Sequence, residues 1–75
     1  MIFCDIQIFD AQQIIYDENK KVLAVVPLHL LGEALANYAE GQQVVLNGYE
    51  EIVQGVIEQA KLIDKNIEIE VSENV

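Results

Sequence analysis

The stretch VVLNGYEEIVQGV, residues 44–56, decides the fold. Val44, Val45 and Leu46 make a short apolar run of the kind found as a buried strand in a parallel sheet. Asn47, Gly48 and Tyr49 turn the chain. Glu50 and Glu51 follow where a first helical turn begins, with negative charge at the positive end of the macrodipole. Ile52, Val53, Val56, Ile57, Ala60 and Ile63 then recur at helical spacing, a broad core stripe running through Asp64. A strand running into a helix needs a sheet to belong to, and the flanking sequence supplies one.

The chain opens with MIFCDIQIF, in which Ile2, Cys4, Ile6 and Ile8 share one face and Phe3, Asp5, Gln7 and Phe9 the other. One face is wholly apolar and the other mixed, which suits a central strand covered on both sides. QQIIY and KVLAVVP flank DENK and read as a hairpin, with Asn19 best suited to a positive φ. Pro27 closes the third strand and opens the next element.

Over residues 28–40 the period becomes helical, at about 100° per residue. Leu28, Leu31, Ala34, Leu35 and Tyr38 share a side, His29, Glu33 and Glu40 lie nearly opposite, and Gly41 is a natural stop. Gly32 within this helix marks a close approach of backbones. Downstream, Asp64-Lys65-Asn66 turns into NIEIEV. There Ile67, Ile69 and Val71 point inward, and Glu68 and Glu70 outward, as on an edge strand protected by charge.

The order is β-β-β-α-β-α-β, an α/β (α+β) chain. Right-handed crossovers place the strand from Val44 beside the first strand and the last strand outside it. The expected five-stranded mixed sheet has order 3-2-1-4-5 with two helices packed on it. Residues 1–71 form one domain and 72–75 a frayed tail.

Composition narrows the function. Seventy-five residues leave a marginal core, so a disulfide, a metal or a partner chain often assists. Cys4 is the only cysteine and alternates with isoleucines, so it reads as a buried structural thiol. His29 is the only histidine, and no Cys/His cluster exists to hold zinc. Association with another chain, or with itself as a homodimer, is the staple left open. Thirteen carboxylates against four lysines, net charge −9, disfavour direct binding to DNA or RNA. No apolar run approaches a membrane span, and the N-terminus lacks a signal-peptide pattern, so a cytoplasmic location is expected.

This order of elements, over nearly the whole chain, is similar to the ribonuclease H-like fold shared by retroviral integrases, resolvases and the actin and sugar-kinase ATPases. Asp5 stands in the opening strand, where nucleases of that fold carry their first metal-binding aspartate. VVLNGYEEIVQGVIE resembles the late strand-turn-helix of actin-like ATPases, and also the ribonuclease H strand that ends in the second catalytic aspartate. The resemblance implies a metal-dependent nuclease or a nucleotide-binding domain, and the sequence departs from both. Asn47, Gly48 and Tyr49 stand where the family places an aspartate. Glu33, the match for the helix glutamate, lies about 160° from the centre of the apolar stripe. The phosphate hairpin is replaced by FDAQQ, without glycine, serine or threonine. Two-metal cleavage needs several converging carboxylates, and Asp5 is the one catalytic candidate.

His29 and Glu33, four apart, lack a third ligand and read as a solvated pair. Ser72 is the only serine and no threonine exists, which excludes a hydroxyl triad. The expectation is an acidic, non-enzymatic protein-interaction domain without a cofactor, with the composition of phage and mobile-element accessory proteins. Its expected contacts are Tyr49, Leu62, Glu68 and Glu70. The alternatives are a metal-dependent nuclease remnant centred on Asp5, and an acidic DNA mimic presenting Glu50, Glu51, Glu58, Glu68 and Glu70.

Overall fold

The computed structural model describes residues 1–72; residues 73–75 of the expected tail lie outside them. The elements are β1 (Ile2–Asp5), β2 (Gln12–Asp17), β3 (Val22–Pro27), a 3-10 turn (Leu28–Leu30), α1 (Leu31–Ala39), β4 (Val44–Asn47), α2 (Glu50–Ile63) and β5 (Ile69–Ser72). The strands form one sheet of order β3-β2-β1-β4-β5. β1 runs antiparallel to β2 and parallel to β4, β2 is antiparallel to β3, and β4 is parallel to β5. The expected mixed sheet with two helices is the observed one.

The core lies on one side of that sheet only. Ile2 and Cys4 of β1, Ile15 of β2, and Val44 and Leu46 of β4 pack with Leu31, Leu35, Val53, Val56 and Ala60 of the two helices. Both helices therefore cover the same face. The connections β3-α1-β4 and β4-α2-β5 both progress in one direction across the sheet, and right-handed crossovers in one direction fall on one side. Each fully buried leucine or isoleucine there contributes about 1.5–3 kcal/mol. The expectation that β1 is covered on both sides is thus corrected: Phe3 and Asp5 face away from the helices.

Three boundaries differ from the sequence pattern for local reasons. β1 ends at Asp5 although the alternation runs on; Ile6 is still buried, but Ile8 is partly exposed and Phe9 is 95% exposed. Beyond Ile6, whose N–H donates to the Asn47 carbonyl at 2.7 Å, the Gln13 side chain takes the backbone groups of Gln7. In the hairpin, Lys20 rather than Asn19 adopts the left-handed conformation, φ 63°. Asp17 Oδ1 accepts the N–H groups of both Asn19 and Lys21 at 2.9 Å. That Asx-type capture holds Asn19 in an ordinary turn conformation and passes the left turn to Lys20. β5 begins at Ile69, and Ser72 belongs to the strand, opposite Asn47, rather than to the tail.

The helices also shift at their ends. Residues 28–30 are a 3-10 turn, and α1 proper starts at Leu31. α1 closes with Glu40 and then Gly41 at positive φ (46° and 84°), so the expected glycine stop is preceded by a strained glutamate. Tyr38 and Ile63, expected on core stripes, are exposed; in α2 the fully buried positions end at Ala60, whereas in α1 Tyr38 is exposed between the buried Leu35 and Ala39. Gly32 does mark a close approach: a Cβ there would lie 2.8 Å from the Val56 carbonyl oxygen and 2.5 Å from Gln59 Oε1. Among the described residues no helix is long and apolar enough to cross a membrane.

Candidate functional site

Strand alternation sorts the uncovered face into rows. Phe3 of β1 stands opposite Tyr16 of β2 and Val45 of β4, Tyr16 opposite Val22 of β3, and Val45 opposite Glu70 of β5. In the next row Ile14 is opposite Val25, and Asp5 opposite Asn47, which is opposite Ser72. Ile14, Val22 and Val25 are about half exposed. A solvated sheet face ordinarily alternates polar residues outward. This one instead presents a contiguous apolar strip with a carboxylate beside it.

Asp5 sits at the C-terminal end of β1, the end of the strands at which open α/β sheets bind ligands. Tyr16 donates its hydroxyl to Asp5 Oδ2 at 2.9 Å, and Asn47 donates its side-chain amide to Asp5 Oδ1 at 3.2 Å. The Tyr16 ring stacks on Phe3 with centroids 5.8 Å apart and planes 15° from parallel, which fixes the hydroxyl in place. Burial chiefly, and then the hydrogen bond to Asp5 and its charge, push the Tyr16 phenol above its ordinary pKa. Asn47 Oδ1 is buried and meets no donor among the described residues. A hollow of about 240 Å³ beside Asp5 is lined by Asp10, Gln12, Ile14 and Tyr16.

Directly behind this face lies Cys4, buried with its thiol pushed up to about 12 by desolvation and then by the charge of Asp5. A thiol so held is protonated and inert at neutral pH, in keeping with the structural role expected of it.

The family-like carboxylate set does not assemble. Asp5 is on the uncovered face, whereas Glu33 is on α1, across the sheet, and exposed. The end of β4 puts the neutral Asn47 next to Asp5, where a second aspartate would complete a cation cradle. Among the described residues no three His, Cys, Asp or Glu side chains converge as metal ligands. His29 lies in the 3-10 turn rather than in α1, so its spacing to Glu33 is not that of one regular helix.

The expected contact residues are exposed but dispersed. Tyr49, 66% exposed, stands at the start of α2 beside Ile8, Glu50 and Glu51. Leu62, 88% exposed, is near the other end of the helix, about 20 Å away along its axis. Glu68 and Glu70 are exposed at the β5 edge, and Gln43 Nε2 reaches Glu70 at 3.5 Å. Of these, only Glu70 borders the apolar strip through its row with Val45.

Sequence patterning missed Ile14, Val22 and Val25 as surface residues and Tyr16 as the partner of Asp5. The signal was present in the register: once β1 and β4 start in step, Asp5 must oppose Asn47, and Phe3 must oppose Val45. Comparisons with protein-family models, with curated proteins and with solved structures gave no match.

Proposed function

We propose that this chain is a non-enzymatic protein-interaction domain, and that it docks through the uncovered face of its sheet. One observation carries the proposal: Ile14, Val22 and Val25 stand half exposed beside the Phe3–Tyr16 stack, on strands held rigid by their ladders. Contiguous exposed apolar surface on a small domain marks a surface that another molecule covers. The ribonuclease H-like resemblance of the element order fits this role, as a scaffold with asparagine where that family places an aspartate. A DNA-mimic role gains less support. The glutamates of α2 and Glu70 of β5 project from opposite sides of the sheet and make no single phosphate-like surface.

The test compares affinity capture by the wild-type chain with capture by two variants. A partner lost with Ile14→Lys/Val25→Lys and retained with Leu62→Lys is the expected result. A partner that follows Leu62 instead, or metal-dependent turnover of DNA or RNA abolished by Asp5→Asn, would falsify the proposal.

A further inference from the structure

We infer that the occupant of the uncovered face is a cationic amphipathic helix of a partner protein. This rests on the interaction role proposed above and adds the chemistry of the partner. Three features of the face point to it.

The first is size. Five strands at about 4.8 Å make a face about 24 Å wide, and strands of four to six residues run about 13–20 Å. That is a projected area of about 300–500 Å². A helix, about 10 Å across, fits the same span, and the opposite face of this very sheet carries two.

The second is charge. Asp5 and Glu70 flank the apolar strip and Asp10 lines its hollow, against Lys20 on the hairpin side. The whole chain carries net charge −9. A second copy, an anionic lipid surface and a nucleic acid all meet like charge there. A lysine- or arginine-bearing partner meets opposite charge.

The third is hydrogen bonding. Asp5 as a carboxylate offers about four lone-pair sites, and Tyr16 and Asn47 use one each. The polar centre of the face is thus rich in acceptors and short of donors, the complement of an ammonium or guanidinium group. Leucine-type side chains of the same helix would lie on Ile14, Val22 and Val25, in the helix-in-groove manner.

Two synthetic helical peptides with one shared leucine face test this, one with lysines on its polar face and the other with glutamates. Each is titrated into the isotope-labelled chain while amide shifts are followed. The lysine peptide is expected to move Phe3, Ile14, Tyr16 and Val45 and to leave Leu35 and Val53 in place. Its affinity should fall about tenfold from low to physiological salt, and about tenfold with Asp5→Asn, the loss of one charge-assisted contact. Equal binding of both peptides at the face overturns the cationic chemistry and leaves the docking role standing. A dimer in sedimentation, with face amides that shift on dilution, overturns it in favour of a second copy. Lysine-peptide shifts around Leu62, with none at the face, overturn both this inference and the docking face itself. A natural partner captured through Ile14 and Val25 by a chain that ignores both peptides overturns the helix alone.

Discussion

The side chain of Gln13 grips the backbone of Gln7 with both ends of its amide. Oε1 accepts the Gln7 N–H at 2.8 Å, and Nε2 donates to the Gln7 carbonyl at 2.8 Å and to the Asp10 carbonyl at 3.1 Å. Gln13 is the one buried polar residue of the described chain, and its amide stands in for the strand partner that β1 loses beyond Ile6. Gln59 does the same for the helical layer. Its Oε1 accepts from the Gly32 N–H at 2.8 Å and its Nε2 donates to the His29 carbonyl at 2.6 Å, closing the junction between the 3-10 turn and α1.

Removing the first clamp should release the β1–β2 loop. Gln13→Ala leaves the Gln7 and Asp10 backbone groups without their partner, a loss of about 1–3 kcal/mol. Urea unfolding should show that loss, and hydrogen exchange at the Gln7 amide should accelerate. An unchanged exchange rate at Gln7 would mean that the loop is held by something other than Gln13.

Two glycines should respond to alanine with opposite signs. Gly55 has open space around a built Cβ, so Gly55→Ala is expected to stabilise α2 by up to about 1 kcal/mol. Gly32→Ala places a methyl 2.8 Å from the Val56 carbonyl, forces α1 and α2 apart, and should cost about 1–3 kcal/mol. Thermal melts of the pair check the sign. A stabilising Gly32→Ala would show that the helices are not in backbone contact.

Stability should fall on the alkaline side. The folded Cys4 thiol stays protonated to about 12, against an ordinary value of 9.0, and Tyr16 is shifted in the same direction from 10.0. Between those ordinary values and the raised ones, the folded state binds more protons than the unfolded state, so stability declines as pH rises. The Cys4 contribution is fully present below about pH 9 and lost toward about pH 12, and that of Tyr16 declines in the same direction. Cys4→Ala should lower stability at neutral pH, through the lost packing, and flatten this decline. A pH profile of the variant parallel to that of wild type above pH 9 would remove Cys4 as the cause.

Asn47→Asp would set two carboxylates side by side at the ends of parallel strands, in place of the 3.2 Å amide contact. Without divalent metal the variant is expected to lose about 1–3 kcal/mol, and millimolar Mn²⁺ or Mg²⁺ should recover part of it. Wild type should show no metal-dependent change in Tm. A variant that is equally indifferent to metal would show that this corner of the sheet is no cation cradle even with a second aspartate beside Asp5.

Element order and strand order were legible because apolar period and turn residues are local signals, and because right-handed crossovers leave one sensible sheet. The stretch at residues 44–56 carried most of that: its apolar run pairs with β1 and β5, and its stripe at Val53, Val56 and Ala60 is buried. Leu62 off that stripe is exposed as its position on the wheel required. The ends were less legible, since Ile8 and Ile63 continue an apolar period past the point where anything remains to cover them, and Tyr38 is exposed although its neighbour Ala39 is buried.

What the sequence determined by itself is therefore the mixed sheet, its strand order and the buried identity of residues such as Cys4 and Leu35. Only in the tertiary structure did it emerge that both helices, on right-handed crossovers running in one direction, share one face and leave the other open. Alternation reports that a strand has two sides but not whether the second side is covered, since coverage depends on elements far along the chain. That arrangement turned Phe3, Ile14 and Tyr16 into surface and put Asp5, set beside Asn47 by the β1–β4 register, across the sheet from Glu33. The role of Asp5 followed from it: a carboxylate held by a phenol and an amide, at the edge of an open apolar face.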